Sequence, residues 1–158
     1  MKRILLALSF VLLLGIYLFT SKIGNFPIVS GESMEPNYYN GNLLYCDKQV
    51  YENSSDVERF DVVVIQNGYF KIIKRVIGLP GDTLQIKDKK IYINGEILEE
   101  NYGKEPIEDE GIAIIELHLK DNEFFVLGDN RNHSSDSRTY GIFNFNDIEG
   151  KITKTLKE

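Results

Sequence analysis

After residue 22 the chain breaks into short, β-branched runs separated by turn residues, with no long amphipathic helix between them. A short apolar run bounded by turn signals is too brief for a stable helix. Its backbone N–H and C=O groups must therefore be met by a neighbouring strand. Leu43–Cys46 reads as a core strand, followed by Phe60–Ile65, which Asn67-Gly68 bounds, and by Tyr69–Ile77. Lys90–Leu98 has the signature of a hairpin with Asn94-Gly95 as a type I′ turn. Ile112–Lys120 and Glu123–Leu127 read as two more strands around Asp121-Asn122. Glu99–Glu110 is acidic, contains Gly103 and Pro106, and reads as an exposed loop. The expected fold class is mostly β, an antiparallel sheet, sandwich or barrel-like domain.

The first 22 residues differ in kind. Met1-Lys2-Arg3 precedes a run from Ile4 to Thr20 that carries no charge. As a helix it would span roughly 26 Å, close to the ~30 Å of a bilayer's hydrocarbon core. A cleaved signal peptide is the alternative. The run is longer than a usual signal-peptide core and no small-x-small site directly follows it. Tyr17 and Phe19 suit the aromatic belt of a membrane interface. The expectation is an uncleaved anchor over residues 1–21. Lys2 and Arg3 would keep its N-terminus cytoplasmic, and residues 22–158 would face the extracytoplasmic side.

Charge then excludes some functions. Setting aside Lys2, Arg3 and Lys22 leaves 15 of 18 basic residues against all 24 acidic ones, a net charge of −9 for the remainder. So acidic a domain is no nucleic-acid binder. Cys46 is the sole cysteine, so no intrachain disulfide can form, and its strand setting suggests a buried, inert thiol. No zinc, EF-hand or CxxC pattern is present, and neither a metal nor another cofactor is expected.

The strand over residues 69–77 holds the first chemical signal. Alternate residues share a face, so Lys74 lies with Phe70, Ile72 and Val76. Lys71 lies with Ile73, Arg75 and Ile77, where a second cation implies solvent. A lysine on an apolar face either snorkels to water or loses part of its proton affinity through desolvation. The second outcome makes a general base. Ser33, in Ser30-Gly31-Glu32-Ser33-Met34-Glu35-Pro36, is on its own an ordinary loop serine. Gly128–Arg138 is the segment densest in polar groups, including Asp129, Ser134, Asp136 and Arg138. Composition fits equally a long polar turn and a shell that orients a lysine. A Ser-His-Asp triad through His133 is a further arrangement the pattern leaves open.

These runs carry a resemblance. The chain resembles bacterial type I signal peptidases, in the compact form of Gram-positive bacteria. Ser33-Met34-Glu35-Pro36, Arg59–Val64, Lys74–Asp82 and Gly128–Gly141 occur in that family's order behind one N-terminal hydrophobic run. The resemblance implies a membrane-anchored serine endopeptidase that removes signal peptides from exported preproteins through a Ser/Lys dyad and an acyl-enzyme. It implies a small β subdomain at about residues 83–122. Ser33 would be the nucleophile and Lys74 the general base. Ser134 would hydrogen-bond and orient Lys74, Asp136 and Arg138 would brace the site as a salt bridge, and Asp129 would support them. Met34 would line the substrate pocket. The Ser33 N–H would donate to the oxyanion, and with Gly31 where some relatives have a hydroxyl, a backbone N–H there would be the second donor. Asn37 and Gly41-Asn42 depart from the common pattern and read as surface tuning. The implied partners are secretory preproteins, the phospholipid membrane and the protein-export translocon. A peptidase dedicated to one substrate and an inactive tethered binding module are the competing readings.

Overall fold

The computed structural model describes residues 8–15 and 24–157. Residues 8–15 are helical, and Leu8 and Phe10 to Leu14 expose their apolar side chains. The rest of the expected anchor lies outside the described residues. Among the described residues no helix is long and apolar enough to cross a membrane.

From residue 24 onward the chain is built of antiparallel strands: β1 (Gly24–Asn25), β2 (Leu43–Asp47), β3 (Val62–Asn67), β4 (Phe70–Gly78), β5 (Thr83–Lys87), β6 (Lys90–Ile93), β7 (Glu96–Ile97), β8 (Leu117–His118), β9 (Glu123–Leu127), β10 (Phe143–Asn144) and β11 (Ile148–Lys157). Seven of them form one sheet in the order β1-β2-β11-β3-β4-β9-β10. The remaining four form a second sheet, β7-β6-β5-β8, spanning Thr83–His118. Among the described residues no pairing joins β1 to β10, so the large sheet is open rather than a closed barrel.

The central strands of the large sheet are covered on both faces. Val62 and Val64 of β3 pack with Val29, Met34, Leu44 and Ile152, while Val63 and Ile65 pack with Val76, Phe124 and Val126. A third cluster joins the two sheets, with Ile77, Phe125 and Leu127 against Leu84, Ile86, Ile91 and Ile93. Burying a side chain of this size contributes about 1.5–3 kcal/mol, so these contacts fix how the sheets meet.

Several elements differ from the sequence expectations. The strand expected from Phe60 begins at Val62, because Phe60 takes φ 77°, places its ring 5.2 Å from that of Tyr102 and turns the chain into β3. The strand expected over 112–120 shrinks to Leu117–His118. Gly111–Ile114 coils as a 3-10 turn with only Ala113 buried, while Ile112 and Ile114 face outward. Gly111 has φ +53° and lies against the Arg138 backbone, where a Cβ would clash. The acidic segment 99–110 is irregular as expected but is docked, with Ile107 buried in the inter-sheet core. Asn94 and Gly95 both have positive φ, as a type I′ turn between β6 and β7 requires.

Candidate active site

Strand β4 becomes progressively buried along its length, from exposed Phe70 and Lys71 to wholly enclosed residues 74–78. β9 pairs with β4 only from Arg75 onward, leaving the other side of residues 70–73 without a strand partner among those described. Lys74 is the last residue before that pairing starts. Its side chain is drawn inward beside Ile72 and Val76, and the residue is 4% exposed.

The serine arrives from the loop after β1. Met34 anchors this loop with a side chain 1% exposed in the core beneath β2, β3 and β11. The Met34 carbonyl accepts from the Asn37 and Tyr38 N–H groups, and the Glu32 carbonyl accepts from the Glu35 N–H. The loop is therefore a compact turn, and it aims Ser33 at β4. Lys74 Nζ lies 2.7 Å from Ser33 Oγ and 3.0 Å from the Ile73 carbonyl. Burial pulls the Lys74 ammonium down to about 8. The Asp136 and Asp129 carboxylates act against that fall, and the Arg138 guanidinium adds to it. A lysine in that range is part neutral near physiological pH, as a base must be.

A cavity of about 250 Å³ opens on this pair, lined by Ile28, Val29, Met34, Ile72, Ile73 and Tyr140 as well as Ser33 and Lys74. A larger cleft of about 400 Å³ lies between the β6–β7 hairpin and the 99–107 segment, against Lys89, Lys104 and Glu105. It holds no Ser, Thr or Cys, and its polar walls carry no reactive pair.

The segment from Gly128 to Arg138 wraps behind the pair. Gly128 passes so close to Ser134 and the Ser33 carbonyl that a Cβ there would collide with both. Asp136, fully buried, caps the short helix Ser137–Tyr140 by accepting from the Arg138 N–H. It also accepts from the Gly128 N–H at 3.0 Å, and Arg138 closes on it with Nε and Nη2 at 2.9 Å each. The expected Asp136–Arg138 contact is thus present. Arg138 also donates to the carbonyls of Arg131 and Asp109.

Other expected placements are corrected. Arg75 does not face solvent but is 5% exposed. It makes a bidentate pair with Asp129 at 2.8 and 2.6 Å, donates to the Phe60 carbonyl, and stacks 3.8 Å from the Tyr102 ring centre. Asp129 accordingly serves Arg75 rather than the Asp136–Arg138 pair. Ser134 does not hydrogen-bond Lys74: its Oγ is buried without a partner among the described residues, and Nζ bonds Ser33 and Ile73 instead. The Gly31 N–H is taken by Asn40 Oδ1 at 2.9 Å, at φ +90°, so it is not available as an oxyanion donor. The Ser33 N–H has no acceptor among the described residues.

Asn37 lies at the surface as expected but also makes structural bonds, whereas Asn42 is buried. Asn37 Nδ2 donates to Asp129 Oδ2 and to the Tyr102 carbonyl, and buried Asn42 accepts from the Tyr39 N–H. His133 faces Glu32 at 3.6 Å and His118 contacts Thr83 and Glu116, so neither histidine reaches Ser33. Sequence reasoning passed over Arg75, Tyr102 and Asn130. The period-two pattern already put Arg75 beside Ile73 and Ile77, which could have marked it as buried and paired.

The chain is similar to known proteins. Residues 1–156 match the family model described as signal peptidase, peptidase S26. A signal peptidase I P of Bacillus subtilis subsp. natto is 39% identical over 160 residues, covering 94% of this chain and 83% of its own. A signal peptidase I of Bacillus amyloliquefaciens is 34% identical over 157 residues, covering 94% and 82%. The crystal structure of a signal peptidase I from Enterococcus faecalis V583 superposes with a TM-score of 0.50 at 34% identity. It covers 61% of this chain and 97% of that one. The chain belongs to the signal peptidase, peptidase S26 family.

Proposed function

We infer that this chain removes signal peptides from exported proteins as a serine endopeptidase, with Ser33 as nucleophile and neutral Lys74 as general base. The observation that carries the reading is the 2.7 Å approach of Lys74 Nζ to Ser33 Oγ, with burial lowering the lysine to about 8. Lys74 takes the hydroxyl proton as Oγ bonds the scissile carbonyl carbon, and the carbonyl electron pair moves onto oxygen. The resulting oxyanion accepts from the Ser33 N–H. On collapse the C–N bond breaks and the Lys74 ammonium returns the proton to the leaving amine. Water, deprotonated by Lys74, then hydrolyses the Ser33 ester.

The substrate enters as an extended strand along the side of residues 70–73 that has no strand partner among the described residues, next to Ser33. The cavity walls Ile28, Ile72 and Tyr140 take its side chains, with Met34 forming the floor. Asp136–Arg138 holds the Gly128 strand end against the turn, and Arg75–Asp129 holds it from the other side. The uncharged run at residues 4–20, with the exposed apolar helix 8–15 inside it, anchors the enzyme in the membrane. The N-terminus is then cytoplasmic and residues 22–158 extracytoplasmic, at the level where a signal peptide leaves the bilayer.

The test is cleavage of a membrane-inserted preprotein by wild type, Ser33→Ala and Lys74→Ala. Both substitutions should abolish cleavage while the proteins stay folded. Full activity in either folded variant would sink the reading.

A further inference from the structure

Asn130 holds the turn that carries the reacting serine, and nothing above gives it a role. It is fully buried, and it touches the nucleophile turn twice. Its backbone N–H donates to the Ser33 carbonyl at 3.0 Å, and its side-chain Nδ2 donates to the Glu32 carbonyl at 3.1 Å. It can face both because the chain doubles back at this residue: φ −82°, ψ 77°, with the Arg131 N–H bonding the Asp129 carbonyl. The two bonds grip successive peptide planes of the turn.

The Glu32 carbonyl and the Ser33 N–H belong to one planar trans peptide and point in opposite directions. That carbonyl accepts from the Glu35 N–H within the turn and from Asn130 Nδ2 outside it, and the second donor ties the peptide, and with it the direction of the Ser33 N–H, to the Gly128–Arg138 segment. It also polarises the peptide, which strengthens the N–H as a donor. The amide orientation of Asn130 is set by chemistry, since only Nδ2 can donate to a carbonyl. We propose that Asn130 is a positioning residue for oxyanion stabilisation, acting through the Glu32–Ser33 peptide to aim and sharpen the Ser33 N–H. It touches neither Lys74 nor Ser33 Oγ by hydrogen bond, so the role is separate from tuning the base. The proposal rests on the Ser33/Lys74 reading above.

The experiment uses the full chain in phospholipid vesicles with a preprotein substrate, and compares wild type with Asn130→Ala and the near-isosteric Asn130→Asp. Neither variant keeps the side-chain donor to the Glu32 carbonyl at neutral pH, which leaves that carbonyl with the Glu35 N–H alone. The expected result for both is a loss of kcat of ~10–100-fold with KM changed less than ~3-fold, since the lost interaction matters only as negative charge develops. In Asn130→Ala the pH midpoint of activity stays at the wild-type value. A peptide aldehyde, which forms a tetrahedral adduct with Ser33, should bind that variant ~10–100-fold more weakly, while a non-covalent peptide of the same sequence binds unchanged. Unchanged kcat, a parallel rise of KM, or undiminished aldehyde affinity overturns the proposal. So does failure of both variants to fold, which would make Asn130 a stability residue. Ser33→Ala run alongside separates the two readings. Activity there defeats the dyad itself, whereas an inactive Ser33→Ala beside a fully active Asn130→Ala defeats only the role of Asn130.

Discussion

Lys74 and Arg75 are neighbours on one strand, both are cations, and they are 4% and 5% exposed, yet their two sides of β4 are built on opposite principles. On the Arg75 side a full carboxylate meets the guanidinium in a fork, a backbone carbonyl takes another N–H, and Tyr102 covers the plane. On the Lys74 side the nearest partners are a neutral hydroxyl and a neutral carbonyl. Carboxylates of Asp129 and Asp136 are close enough to raise the lysine but do not offset its burial. One side meets its cation with a counter-ion, and the other makes the charge easy to lose. The lesson is that burial alone does not make a base; burial without a counter-ion does.

The sharpest way to break the comparison is Lys74→Met, which keeps the volume and removes the amine. Preprotein cleavage should fall by at least ~10³-fold, as for the loss of a base acting with its nucleophile. Next comes Arg75→Met. It leaves the Asp129 carboxylate buried with Asn37 as its remaining side-chain partner, and chemical denaturation should show a loss of about 3–5 kcal/mol. Lys74→Met should do the reverse and stabilise the fold by up to about 3 kcal/mol at pH 7. The folded lysine sits near 8 against an ordinary 10.5, so below pH 8 the native wild type bears the whole cost of the buried ammonium. Between pH 8 and 10.5 the unfolded chain holds the extra proton, wild-type stability rises with pH, and the gap to the variant closes. The smallest effect is at Lys71, 48% exposed in its side chain and paired with Glu149. Lys71→Met should shift stability by less than ~1 kcal/mol.

Much of this was legible in the sequence where the signal is local. The alternation of β4 singled out Lys74 over Lys71, Asn94-Gly95 announced its turn, and Phe124–Leu127 read as a strand. What escaped depends on partners distant in the chain. The pattern makes Arg75 look wet because one face of a strand commonly meets water, whereas β4 is enclosed on both faces from residue 74 onward. Its partner Asp129 lies 54 residues away. Ile112–Lys120 looks like a strand from its apolar content, yet Ile112, Ile114 and Ile115 stay exposed. Gly31 and Asn37 depend on where single hydrogen bonds go, to Asn40 and to Asp129 and Tyr102, and composition carries no trace of that. The expected bond from Ser134 to Lys74 rested on resemblance alone, and the geometry directs Nζ elsewhere.

The central claim is that Lys74 is held ready to lose its proton beside Ser33. Its most direct test is titration of the Lys74 side chain in the folded, full-length protein, followed by the NMR shift of its Cε and Nζ. A midpoint about 8 is the expected result, and a midpoint at the ordinary 10.5 would contradict the account.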